Sequence, residues 1–125
     1  MISYVLDSNF IIRAFHKNNP EHIFLKKIIG KNQIFIPTIV VAEVLTKVNH
    51  EEKRSLNALL EFSQLVDLDF MLAEKAAQIR YQTLKKKKVF LLDCIVAATV
   101  FKTKSVLLTN NTKDYLALSI KLKSF

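Results

Sequence analysis

A chain of 125 residues, 50% of them hydrophobic, can bury one sizeable core, so a single domain spanning 1–125 is expected. A net charge of +8 suits a polyanionic partner, whether RNA, DNA or an acidic protein. The single cysteine, Cys94, excludes a disulfide framework or zinc set, and the single glycine, Gly30, excludes phosphate-cradling glycine loops.

The first element is a short β-branched run, Ile2 to Leu6, which reads as a buried strand with Asp7 at its carboxyl end. Asp7 or Ser8 is placed to cap a helix on which Phe10, Ile11, Ala14 and Phe15 recur at helical spacing. Asn18, Asn19 and Pro20 punctuate the chain before a second helix from about Glu21 to Ile29, which Gly30 closes. Gln33 to Ile36 reads as a second strand. Thr38 is then placed to cap a helix carrying Val40, Val41, Val44, Leu45 and Val48, with Glu43 about 60° outside the apolar arc.

A helix from Glu51 to Ser63, a strand from Leu65 to Leu68 and a helix from Phe70 to Leu84 come next. Lys85, Lys86, Lys87 and Lys88 then interrupt the pattern. Leu91 to Lys102 is apolar nearly all round, so a buried helix is expected, with Asp93 at its electropositive start. Ser105 to Thr109 and Ser119 to Lys123 complete the strands. Alternating short strands and helices predict an α/β domain around a parallel sheet. The N-terminus has no signal-peptide pattern and no apolar run reaches the ~20 residues of a membrane span, so a soluble, cytoplasmic protein is expected.

Four hydrophobic runs each end on or enclose an acid or amide: VLDSNF at Asp7, VVAEVL at Glu43, LLDCIVAA at Asp93 and LLTNNTKDY at Asn111 and Asp114. Charge beside apolar sequence is costly unless it is compensated, and hard divalent cations take carboxylate and amide oxygens as ligands. In parallel sheets ligands collect beyond the carboxyl ends of strands, where Asp7 and the Asn110 to Asp114 segment would meet. These residues therefore point to metal-dependent phosphodiester chemistry. His16, His22 and His50 stand outside these segments, and Phe10, Phe15 and Phe35 fit core positions.

With VLDSNFII, PTIVVAEVL, LLDCIVAATV and LLTNNTKDY in this order, the chain resembles PIN-domain proteins, in particular VapC-type toxins of toxin–antitoxin pairs. The resemblance implies a three-layer α/β/α sandwich with a central parallel sheet. It also implies a Mg²⁺- or Mn²⁺-dependent endoribonuclease, inhibited by a cognate antitoxin and forming a homodimer. Asp7, Glu43 and Asp93 match the family's regular acidic positions, and Asn9 matches a polar position beside the metal. Thr109 and Asn110 support the last motif, where Asn111 stands in place of the commoner Asp, so Asn111 or Asp114 supplies the fourth ligand. Arg13 and Lys85 to Lys88 are the candidate RNA contacts, with Lys17, Lys102, Lys104 and Lys113 extending the positive surface.

A haloacid dehalogenase-type phosphatase would require a second Asp where Asn9 stands, and a receiver-like domain an acidic pair after the first strand. The surviving rival is a PIN-like module with a decayed site that binds nucleic acid or a protein without cutting.

Overall fold

A computed structural model describes residues 1–83 and 89–125. The expected Lys85 to Lys88 contacts lie outside the described residues. In chain order the elements are β1 (Tyr4–Leu6), α1 (Ser8–Ala14), α2 (Pro20–Ile28), β2 (Ile34–Pro37), α3 (Thr38–Leu45) and α4 (His50–Glu61). They continue with β3 (Gln64–Val66), α5 (Phe70–Thr83), α6 (Leu91–Thr103), β4 (Val106–Thr109), a 3₁₀ helix (Thr112–Leu118) and β5 (Leu122–Ser124).

The five strands form one parallel sheet in the order β3-β2-β1-β4-β5. Its central strands are apolar on both faces, as a covered parallel sheet requires: Val5, Leu6, Ile34, Ile36, Leu107 and Leu108 are all buried. Right-handed crossovers put α1 to α4 on one face and α5, α6 and the 3₁₀ helix on the other. The packing agrees, with α1 against α2 and α3, and α6 against α5 and the 3₁₀ helix. The result is the expected three-layer sandwich.

The strand order reverses between β1 and β4, so the chain leaves these two neighbours in opposite directions. That divergence opens a crevice at their carboxyl ends, where a ligand can be reached from both layers. The β1 and β4 registers align Leu6 with Leu108, which sets Asp7 beside Thr109 at the rim.

Local chemistry differs from the expected cap at Thr38. Thr38 is the first helical residue of α3 rather than its cap; Pro37 holds the cap position without a side-chain bond, because β2 runs straight into the helix. Phe90 holds the cap position of α6 without a side-chain bond, and Asp93 stands in the first turn, as expected. The segment after Thr109 winds into the 3₁₀ helix and buries Tyr115 and Leu118.

Candidate active site

Asp7 belongs to the site because β1 ends there and α1 begins. Its carboxylate accepts the Phe10 amide at 2.8 Å, capping α1, and its own N–H reaches the Leu108 carbonyl of β4. The side chain is only 6% exposed. Burial raises its pKa above the ordinary 3.8; hydrogen bonds from the Thr109 hydroxyl and Phe10 amide oppose the rise, and the charges of Glu43 and Asp114 add to it. Thr109 is itself fixed, since its hydroxyl accepts the Asn111 amide at 3.0 Å.

Glu43 reaches the same crevice from α3. Val40 and Val44 are fully buried against the core, so the offset of Glu43 from that stripe turns it over the rim. Asp93 arrives from the opposite layer, in the first turn of α6. Burial, then repulsion from Asp114 and Glu43, push it up to about 6, while a hydrogen bond from Tyr115 lowers it. Asp114 completes the group from the 3₁₀ helix, held by Asn111 through Nδ2 to Oδ2 at 2.5 Å.

These side chains line one cavity of about 190 Å³, together with Asn9 and Tyr115. Four carboxylates therefore converge from four separate segments. Among the described residues, no three Asp, Glu, His or Cys side chains are close enough to form a ready-made chelate. The fit to a divalent ion lies in the donor chemistry: hard oxygen ligands, and mutual repulsion that a cation would relieve. Asn111 has its amide nitrogen engaged, so its Oδ1 is the atom left to serve as a ligand.

Other candidate residues lie apart from the cavity. Asn110 does not line it. Arg13 points away, its Nε donating to buried Glu21 at 2.5 Å. Lys102 and Lys104 fall at the far end of α6, so they sit on the edge opposite Asp93; Lys102 pairs with Asp69 at 3.7 Å. None of the three histidines lines the cavity; His16 faces Glu52 and His22 Nδ1 donates to the Ala14 carbonyl.

Sequence alone assigns no role to Tyr115 or Lys47, which both line the cavity. Tyr115 is 4% exposed, and burial, then the surrounding carboxylate charges, push its hydroxyl far above the usual range, so it stays protonated among the acids. Its signal is its place beside Asp114 in LLTNNTKDY. Lys47 lines the cavity four positions after Glu43, and that helical spacing to an acid is the signal that marks it.

An all-parallel α/β/α domain with an acidic cavity at its switch point is the class this geometry defines. A family model for the PIN domain matches residues 4–117, and the chain belongs to that family. No curated protein matches the sequence. Among solved structures, the fold is similar to that of VapBC2 from Rickettsia felis bound to a DNA fragment from its promoter, at 20% identity over 99% of both chains with a TM-score of 0.82. A toxin–antitoxin complex from Klebsiella pneumoniae is similar at 24% identity, over 97% of this chain and 96% of that one, with a TM-score of 0.76. VapC20 from Mycobacterium tuberculosis, described as a sarcin–ricin loop cleaving toxin, is similar at 13% identity, over 83% of this chain and 86% of that one, with a TM-score of 0.60. Among the described residues no helix is long and apolar enough to cross a membrane.

Proposed function

We propose that this PIN-domain protein is a Mg²⁺- or Mn²⁺-dependent endoribonuclease and the toxin of a toxin–antitoxin pair. The observation that carries the reading is the convergence of Asp7, Glu43, Asp93 and Asp114 on one cavity, close enough that the other three charges all raise the proton affinity of Asp93. Toxin–antitoxin complexes among its structural neighbours support a cognate antitoxin as partner, and the RNA-cleaving neighbour supports RNA as substrate. A homodimer and a cytoplasmic location belong to the same proposal.

Asp7, Asp93 and Glu43 would hold the ion, with Asp114 or the Asn111 Oδ1 as a further ligand. When bound, it lowers the pKa of a coordinated water and offsets charge on the phosphate. The chain's own residues do the remaining work. Glu43, half-buried at the rim, would put a carboxylate oxygen in reach of the attacking water and serve as its proton acceptor. Tyr115 keeps its proton and lowers the proton affinity of Asp93, so it favours that carboxylate's charged form. Thr109 and the Phe10 amide do the same for Asp7, so both acids are held before substrate arrives. Asn111 anchors Asp114, which keeps four acids at the site although Asn replaces the commoner Asp.

The test is cleavage of a total cellular RNA pool by purified protein with Mg²⁺ or Mn²⁺ against a chelator, with Asp7→Asn alongside. Metal-dependent cutting lost in the variant is the expected result. Intact RNA throughout would favour the decayed binding module instead.

A further inference from the structure

The mouth of the acidic cavity carries two side chains that its carboxylate chemistry does not use, Phe90 and Lys47. Phe90 breaks two local preferences at once. It occupies the cap of α6, where Ser, Thr, Asp or Asn would bond the first turn, and a phenylalanine there offers no such bond. Its ring is also 63% exposed, although a large apolar side chain gains most by burial. Its extended backbone, φ −75° and ψ 143°, starts the helix without enclosing the ring. Departures from local preference are expected at functional sites, and Phe90 combines two of them on the lining of the cavity.

Lys47 faces it from the other layer. It lies just beyond the end of α3, its N–H bonding the Val44 carbonyl at 2.9 Å, and its side chain is exposed. It is four residues beyond Glu43, a spacing at which glutamate and lysine commonly pair along a helix. Here the helix ends at Leu45, and among the described residues Lys47 forms no ion pair despite four nearby carboxylates. It is also the only cationic side chain lining the cavity among the described residues.

We infer that Phe90 and Lys47 form a nucleotide subsite at the cavity mouth, the ring stacking on one base of a single-stranded RNA and the ammonium holding a phosphate next to the scissile one. This rests on the nuclease reading and adds to it how substrate is gripped. Single strands suit this pair because their bases can leave the stack for an aromatic face, while the phosphate contact is blind to sequence. The subsite thus favours unpaired RNA over duplex without dictating which base is bound.

The test measures anisotropy of a fluorescein-labelled, mixed-sequence, single-stranded oligoribonucleotide in chelator, where binding is read without cleavage, across a salt series. Phe90→Ala should weaken binding about tenfold while Phe90→Trp retains it. Lys47→Met should weaken it about threefold and flatten the log–log salt slope by roughly 0.7, with Lys47→Arg retaining both. Thermal unfolding of each variant separates these effects from loss of fold. A Lys47→Met change that moves stability alone would leave Lys47 as a helix-end cation and overturn the subsite. If wild type cuts RNA while Phe90→Ala and Lys47→Met bind it unchanged, the subsite fails and the nuclease stands; if wild type neither binds nor cuts RNA, both fail.

Discussion

Among the described residues two acidic side chains are buried, Asp7 and Glu21, and the chain treats them in opposite ways. Glu21, 1% exposed near the start of α2, has a guanidinium on it: Arg13 Nε donates at 2.5 Å and ties α2 back to α1. Asp7 has a threonine hydroxyl, an amide and two further carboxylates, Glu43 and Asp114, for neighbours. A buried acid with its own cation serves structure. A buried acid among acids leaves negative charge for something outside the chain to meet, and that imbalance marks the working end of the molecule.

The comparison can be broken most severely at Asp7. Asp7→Asn should keep the cap on α1, since Asn caps about as well as Asp, yet lower RNA cleavage by about 100-fold or more, beyond the ~10–100-fold typical of losing an outer-shell partner. Circular dichroism beside the cleavage assay checks both halves. The converse variant is Arg13→Met, which leaves Glu21 buried and unpaired. Denaturant unfolding should show a loss of about 2 kcal/mol, discounted from the cost of breaking a fully buried pair because Arg13 is 48% exposed. Cleavage per folded molecule should stay near wild type.

Two smaller effects sharpen the contrast. Asp93 is raised to about 6 in the folded protein against an ordinary 3.8. The folded state therefore binds the proton more tightly than the unfolded chain, so without metal this group's contribution to stability increases as pH falls from about 7 through about 6. Metal affinity should move the other way and weaken over the same range, as protonated Asp93 ceases to be a ligand. Following both quantities from about pH 5 to about pH 8, a window that brackets the Asp93 value, checks the opposed slopes. By the same sign, Asp93→Asn should stabilise the metal-free protein at about pH 7 by about 1 kcal/mol after discounting for solvent, or roughly 4 °C in a melting scan, while cleavage is lost.

How much of the molecule is legible in its sequence depends on which signals are local. The apolar run into Asp7 and the apolar start of α6 around Asp93 announce buried elements with an acid at one end, and the rule that ligands collect beyond the carboxyl ends of parallel strands brings Asp7 to the Asn110 to Asp114 segment. Glu43 is readable because two valines one turn apart fix the buried face of α3. The last strand, expected at Ser119 to Lys123, begins at Leu122, because Ser119 closes the 3₁₀ helix in a left-handed conformation, φ 52°, and so cannot be extended. The partnership of Arg13 with Glu21 is not readable, since it depends on how α1 and α2 fold back on one another. From charge alone Arg13 looks like an RNA contact. The same holds for Lys102 and Lys104: nearness in sequence to the last motif hides the fact that α6 carries them to the opposite edge. Tyr115 escapes notice because a tyrosine after an acid in a turn looks like packing, and only the fold brings its hydroxyl to Asp93.

If the acids around Asp7 form a mutually repelling cluster built to receive a cation, thermal unfolding with and without Mn²⁺ will show it in wild type, Asp7→Asn and Arg13→Met. Ligand binding to the folded state raises the melting temperature. Mn²⁺ should raise it for wild type and, from a lower starting point, for Arg13→Met, and not for Asp7→Asn. An unchanged melting temperature in wild type, or an equal rise in Asp7→Asn, would contradict such a cluster.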